Sequence, residues 1–139
     1  MLYIIDTANL EKIKHCNEFY PIDGVTTNPT IISRENCDFK KLITSIREII
    51  GPDKMLHIQT TATDAEQIVE EAKTLRELLG ENFYIKIPIT EDGLKATMEL
   101  KKLGTFSPST FTNTCALPGS TIRFKRMSGV FPTASKILL

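Results

Sequence analysis

The chain has 139 residues, 41% of them apolar and 24% charged, with 17 bases against 17 acids, three cysteines and no tryptophan. That composition suits one folded domain and excludes low-complexity, collagen-like and disulfide-scaffold chains, while a formal charge of zero gives no reason to expect nucleic acid or an anionic membrane as partner. No apolar run approaches the ~20 residues of a membrane span, and Cys16, Cys37 and Cys115, odd in number and without metal-ligand spacing, read as reduced thiols of a cytoplasmic protein.

Residues 2–6 (LYIID) form the first strand candidate, followed by a helix with Leu10, Ile13 and Phe19 on one side. Ile22 to Thr27 reads as a second strand. Phe39, Leu42, Ile43, Ile46, Ile49 and Ile50 recur at three- and four-residue steps, predicting an amphipathic helix closed by Gly51 and Pro52. Met55 to Thr60 is the third strand; its helix opens with Thr63 and Glu66 in capping-box spacing and stops at Gly80. Phe83 to Ile89 is the fourth strand and Glu91 to Leu103 the fourth helix, ending at Gly104 with Lys101 and Lys102 where cations suit the helix dipole. Strands without clean alternation, each followed by a helix, predict a parallel sheet covered by helices, an α/β fold.

The charge balance hides a division. Residues 1–104 hold all 17 acids and 13 bases, a net of −4, whereas residues 105–139 hold no acid and the bases Arg123, Lys125, Arg126 and Lys136. Eleven of those last 35 residues are Ser or Thr, Pro108, Pro118 and Pro132 interrupt them, and only Ile122 with Phe124 alternates like a strand. They are expected to be an irregular, basic tail, non-native or disordered, after an organised domain of residues 1–104.

Three successive strands end in polar groups: Asp6 and Thr7; Thr26, Thr27 and Asn28; Gln59, Thr60 and Thr61. In a parallel sheet the carboxyl ends point one way, so these side chains are expected to converge on the face that carries active sites in barrels and open α/β sheets. Lys86 lies inside the fourth strand, FYIKIPI, sharing a side with Tyr84 and Pro88. A mid-strand lysine loses hydration, which favours the uncharged amine needed to attack a ketone and form a Schiff base. A lysine paired with Asp6, or one reaching solvent at the sheet end, is the structural alternative. His57 shares a side with Gln59, but a lone histidine in an apolar run is more often a core residue, and it is assigned no role.

These residues carry a resemblance. GVTTNPTII (Gly24 to Ile32), YIKIPIT (Tyr84 to Thr90) and YIIDTANL (Tyr3 to Leu10) resemble, in order and separation, three motifs of the transaldolase family, and in particular its fructose-6-phosphate aldolase and transaldolase-like branch. The resemblance implies the first four βα units of a (β/α)₈ TIM barrel and a class I, metal-free and cofactor-free enzyme acting on a sugar or sugar phosphate, homo-oligomeric in its full-length form. It implies Lys86 as the Schiff-base lysine, Asp6 as the carboxylate that orients it and assists proton transfer, Asn28 as a substrate-binding amide and Thr26 as a further polar lining residue. At the position of Gln59 the family's transaldolases place a glutamate that positions water; a glutamine holds water but is no base, which favours the aldolase branch. Asp6 and Asn28 also suit turn or helix-cap use.

Glycine-rich nucleotide loops, a P-loop and zinc-type histidine or cysteine spacings are missing from the sequence. After Gly104 the resemblance stops: the sixth-strand tyrosine that the aldolase branch uses as acid/base has no counterpart, since Tyr84 is the last tyrosine. A frame change or deletion near Gly104 is the expected origin, the alternative being a natural four-unit protein with a basic tail. Four strands alone would leave two unpaired edges and an unfilled barrel face. The expected outcome is an impaired, truncated aldolase, or else a non-catalytic product that self-associates or pairs with intact homologues.

Overall fold

A computed structural model describes residues 1–35, 37–80 and 82–103, together with the backbone of 111–114 and 135–138. The elements run β1 (Leu2–Asp6), α1 (Leu10–Phe19), β2 (Gly24–Thr26), α2 (Pro29–Ser33), α3 (Phe39–Ile50), β3 (Met55–Gln59), α4 (Ala65–Leu79), β4 (Phe83–Pro88), α5 (Glu91–Lys102), β5 (Phe111–Thr114) and β6 (Ser135–Leu138). All strand pairings are parallel, in the order β5-β4-β3-β2-β1-β6.

Each helix starts where the chain offers a side-chain acceptor to an otherwise unpaired N–H. Asn9, Asn28, Asp38, Asp64 and Thr90 accept from the backbone three residues on, an arrangement usually worth about 1 kcal/mol per cap. Helix α4 is capped by Asp64, one residue later than the Thr63 box expected, because the Asp64 carboxylate takes the Gln67 N–H. Gly51 and Gly80 follow α3 and α4 at φ 77° and 78°, a region costly for other residues. Helix α2 has only five residues, too few to show periodicity, although Asn28 followed by Pro29 is a helix-start signal.

One side of the sheet and the inner faces of the helices make the core. Ile5, Val25, Leu56, Ile58, Phe83, Ile85 and Ile87 pack under Ile13, Ile43, Ile46, Ile68, Leu75 and Leu100, all buried. Fully burying one such side chain stabilises by about 1.5–3 kcal/mol. Phe19, expected on the buried side of α1, is 63% exposed and lies against His15 instead; it is the last residue of the helix, beyond the reach of the sheet.

Two parts of the stretch expected to be irregular are strands. β5 pairs with β4 and β6 with β1, so both edges that four strands would leave open are occupied by this chain's own backbone. An outer strand presents a row of unpaired N–H and C=O groups to which any extended segment can add. The boundary at Gly104, the Ile122 and Phe124 alternation, Cys115 and the basic residues Arg123, Lys125 and Arg126 lie outside the described residues.

Candidate active site

The strands deliver their polar residues to the side of the sheet away from the helices. Asp6, Thr26, His57 and Tyr84 stand in one register row across β1 to β4. One step toward the carboxyl ends, Gln59 is in register with Lys86, and Lys86 with Thr112 of β5. Neighbouring strands lie about 4.8 Å apart, so Lys86 spans β3 to reach β2, where its Nζ donates to Thr26 Oγ1 at 3.0 Å and to the Thr27 carbonyl oxygen. The strand ends are held to each other beyond the sheet proper: Thr7 N donates to Thr26 O, Thr27 N to His57 O and Thr60 N to Lys86 O.

Lys86 is thus held by neutral oxygens. Burial lowers its pKa from 10.5, and the nearby charge of Asp6 opposes that shift. Among the described residues no hydrogen bond or ion pair joins Asp6 to Lys86; Asp6 Oδ1 is buried without a partner. The pairing that would make Lys86 purely structural is therefore not formed, while the carboxylate remains close enough for its charge to act.

His57 stacks on Tyr84, ring centroids 4.6 Å apart and planes 10° from parallel. Burial, reinforced by the Lys86 charge, pushes the imidazole down from 6.5 to about 4, so it is neutral at pH 7. Its Nε2 is also buried without a partner. The stacked pair forms an apolar floor in the row below Lys86, and two-residue alternation with Lys86 and Gln59 is the signal in the sequence for it.

The remaining strand-end residues divide. Asn28 uses Oδ1 to cap α2 through Ile31 N at 2.9 Å, which leaves its NH₂ free to donate outward. Asn28 and Gln59 together line a cleft of about 480 Å³ at the carboxyl end of the sheet, with Pro29, Thr30, Ile31 and Arg34. Thr60 and Thr61 turn away from it: Thr60 Oγ1 donates to Glu71 of α4, and Thr61 N and Ala62 N reach the same carboxylate at 3.3 and 3.2 Å. Thr27 is fully buried, its hydroxyl donating to His57 O. Of the strand-end groups, then, Asp6, Thr26 and Gln59 share a face with Lys86, Asn28 joins Gln59 in the cleft, and Thr27, Thr60 and Thr61 fix the loops. Among the described residues no three His, Cys, Asp or Glu side chains gather as a metal site, and no helix is long and apolar enough to cross a membrane.

Residues 3–111 match the family described as transaldolase/fructose-6-phosphate aldolase. The chain belongs to that family. Its four successive βα units are accordingly the first four of a (β/α)₈ barrel, with the polar row on the side that lines the barrel. Curated relatives include a protein of Streptococcus pneumoniae named "Probable fructose-6-phosphate aldolase", 41% identical over 105 residues, which are 75% of this chain and 47% of the relative. Proteins named "Probable transaldolase" from Aquifex aeolicus and Clostridium tetani are 43% and 45% identical over 104 residues, 75% of this chain and 46% and 47% of theirs. The chain spans about half the length of these relatives. The family match reaches residue 111, a few residues past Gly104, where the sequence motifs stop.

Proposed function

We propose that this chain carries the Schiff-base part of a class I aldolase site for a sugar phosphate, with Lys86 as nucleophile. The observation that supports it most is the Lys86 amine, half-buried on the barrel-lining side, its pKa lowered, held by Thr26 and the Thr27 carbonyl rather than by a carboxylate.

The chemistry follows from a neutral amine. The Nζ lone pair attacks the ketone carbon, the carbonyl oxygen takes one proton from the amine nitrogen and a second from an acid and leaves as water, and an iminium remains. Breaking the bond beyond the adjacent carbon sends its electron pair into the iminium, giving an enamine, while the hydroxyl on the departing carbon gives up its proton to a base and leaves as an aldehyde. Protonation of the enamine carbon and attack by water release the ketone and return the lysine. Asp6, half-buried with Oδ1 unpartnered, would exchange protons near Lys86; Asn28 would donate to substrate hydroxyls, and Gln59 would hold water without acting as base. That last property favours aldol cleavage over transfer.

In this reading the residues after 111 depart from the family, and the protein is cytoplasmic. The chain supplies no tyrosine after Tyr84 for the acid/base step, so the 139 residues alone are expected to form the Schiff base with little or no net cleavage. Borohydride reduction with a dihydroxyacetone-type ketone followed by peptide mass mapping tests this. Labelling at Lys86 is expected, rising with pH with a midpoint below that of an ordinary lysine. An intact fold with no Lys86 adduct overturns the assignment; robust fructose 6-phosphate cleavage overturns the impairment.

A further inference from the structure

The Schiff-base chemistry leaves His57 and Tyr84 without a part, although both stand on the barrel-lining side next to Lys86. Among the described residues, the charged or titratable groups on that side of β1 to β4 are Asp6, His57, Tyr84 and Lys86. The β5 and β6 positions in register with it hold threonine, serine and isoleucine. Lys86 is in register with Gln59, but its Nζ donates one row lower on β2, to Thr26 Oγ1, and Thr26 is in register with His57. The lysine stem therefore crosses β3 obliquely, from the Gln59 row into the His57 row, and its charge acts on the imidazole. Tyr84, stacked on the ring at 4.6 Å, braces it from the β4 side. The His57 carbonyl takes the Thr27 N–H at 2.9 Å and the Thr27 hydroxyl at 3.2 Å, so the residue that offers Lys86 its second acceptor is itself tied to His57. A histidine that served only the core would have its buried ring nitrogens paired; His57 Nε2 has no partner.

We propose that His57, braced by Tyr84, is a positioning residue for the Schiff-base lysine: its ring walls the Lys86 stem, keeps water from the amine and holds it on Thr26 and Thr27. Keeping water away favours the uncharged amine. Asp6, whose charge favours the ammonium, forms no ion pair with Lys86 among the described residues. Across the range in which a lysine titrates, the imidazole is uncharged, so it acts by its bulk and its plane rather than by charge. The purpose of the wall rests on the Schiff-base reading, but the wall itself is a property of the free chain.

The test follows Lys86 in the full 139-residue chain by two readouts. NMR of its ε-carbon gives the pH midpoint of the amine without any sugar, and borohydride trapping with a dihydroxyacetone-type ketone gives the pH profile of the reaction. His57→Ala is expected to raise both midpoints by about one pH unit, and His57→Phe to hold them near the parent value. Tyr84→Leu, which removes the brace and leaves the histidine, should move them in the same direction as His57→Ala, and it decides if His57→Ala does not fold. Leu75→Ala, in the helix-side core, should lower stability without moving either midpoint, which separates positioning from general loosening. Unchanged midpoints in His57→Ala and Tyr84→Leu overturn the proposal. An equal rise in His57→Phe and His57→Ala also overturns it, because the effect would then belong to the ring nitrogens. If the NMR midpoint of the parent is lowered but no ketone labels Lys86, the Schiff-base reading fails and the NMR comparison still decides the role of His57.

Discussion

The two ends of the parallel sheet treat polar side chains in opposite ways. At the amino end nearly every buried polar group closes a gap in the backbone. Arg47 of α3 donates through Nη1 to Gly51 O and Lys54 O and through Nη2 to Asn82 O, leaving only Nε without a partner. Tyr3 N donates to Asp23 Oδ2 at 2.6 Å, Asn17 Nδ2 to Ile49 O and Asn82 Nδ2 to Pro52 O. At the carboxyl end, Asp6 Oδ1 and His57 Nε2 are buried with no partner, and Lys86 gives up hydration for two neutral acceptors. Buried polar atoms without partners typically cost about 1–3 kcal/mol each, so the amino end is built for stability and the carboxyl end holds groups whose satisfaction is left to something else. Barrel enzymes share that division between their two faces.

The strongest way to break the contrast is to remove the staple at the amino end. Arg47→Ala removes a donor from three carbonyl oxygens on the loops before β3 and β4, of which Asn82 O keeps the Leu56 N–H, and is expected to cost about 3 kcal/mol in denaturant unfolding. Arg47→Lys should recover little, because one ammonium cannot reach three acceptors in a fork. Borohydride labelling of Lys86 in the fraction that stays folded should be unchanged, since the staple and the lysine lie at opposite ends. A cost below about 0.5 kcal/mol, the usual range of surface substitutions, would show the amino end to be no more dependent on its polar groups than the surface.

The second effect belongs to the carboxyl end and depends on pH. His57 has a folded pKa of about 4 against 6.5 when free, so between those values the unfolded chain binds a proton that the folded chain does not. Stability therefore falls as pH drops from 6.5 toward 4 and levels off below, a loss of up to about 3 kcal/mol. His57→Phe keeps a ring to stack on Tyr84 and should flatten that limb, while carboxylate titrations at lower pH persist. A parent chain with no such limb would mean that His57 reaches water and is not part of a dry floor.

How far the sequence alone discloses this division varies from residue to residue. The helix-side core was legible because Ile58, Ile85 and Ile87 obey a two-residue period and Leu42, Ile46 and Leu75 a helical one, and both periods are consequences of backbone geometry. Lys86 was legible as a cation on the other face of such a strand, between Ile85 and Ile87. The division among the threonines was not: Thr26, Thr60 and Thr61 are the same residue type at equivalent strand ends, and only the position of Glu71 on α4 turns two of them away. Helix α2 was too short for periodicity, so Arg34 had no visible place. The strands β5 and β6 depend on pairing with distant edges, which local composition does not encode.

The smallest effect is the most direct measure of what Lys86 is for. Its stem lies on the barrel-lining side over β3, and its amine has lost water without gaining a counter-charge in contact. Lys86→Met keeps the length and apolar stem and removes the desolvated amine. The Thr26 hydroxyl oxygen and the Thr27 carbonyl each lose one donor, a cost smaller than that of burying the amine. Thermal unfolding of Lys86→Met should therefore show a gain of about 1 kcal/mol, as expected where a residue is kept for chemistry against stability. A loss of 1 kcal/mol or more would make Lys86 a staple like Arg47 and erase the difference between the two ends; a gain, together with loss of all borohydride labelling, would locate the cost of the reactive amine at this one side chain.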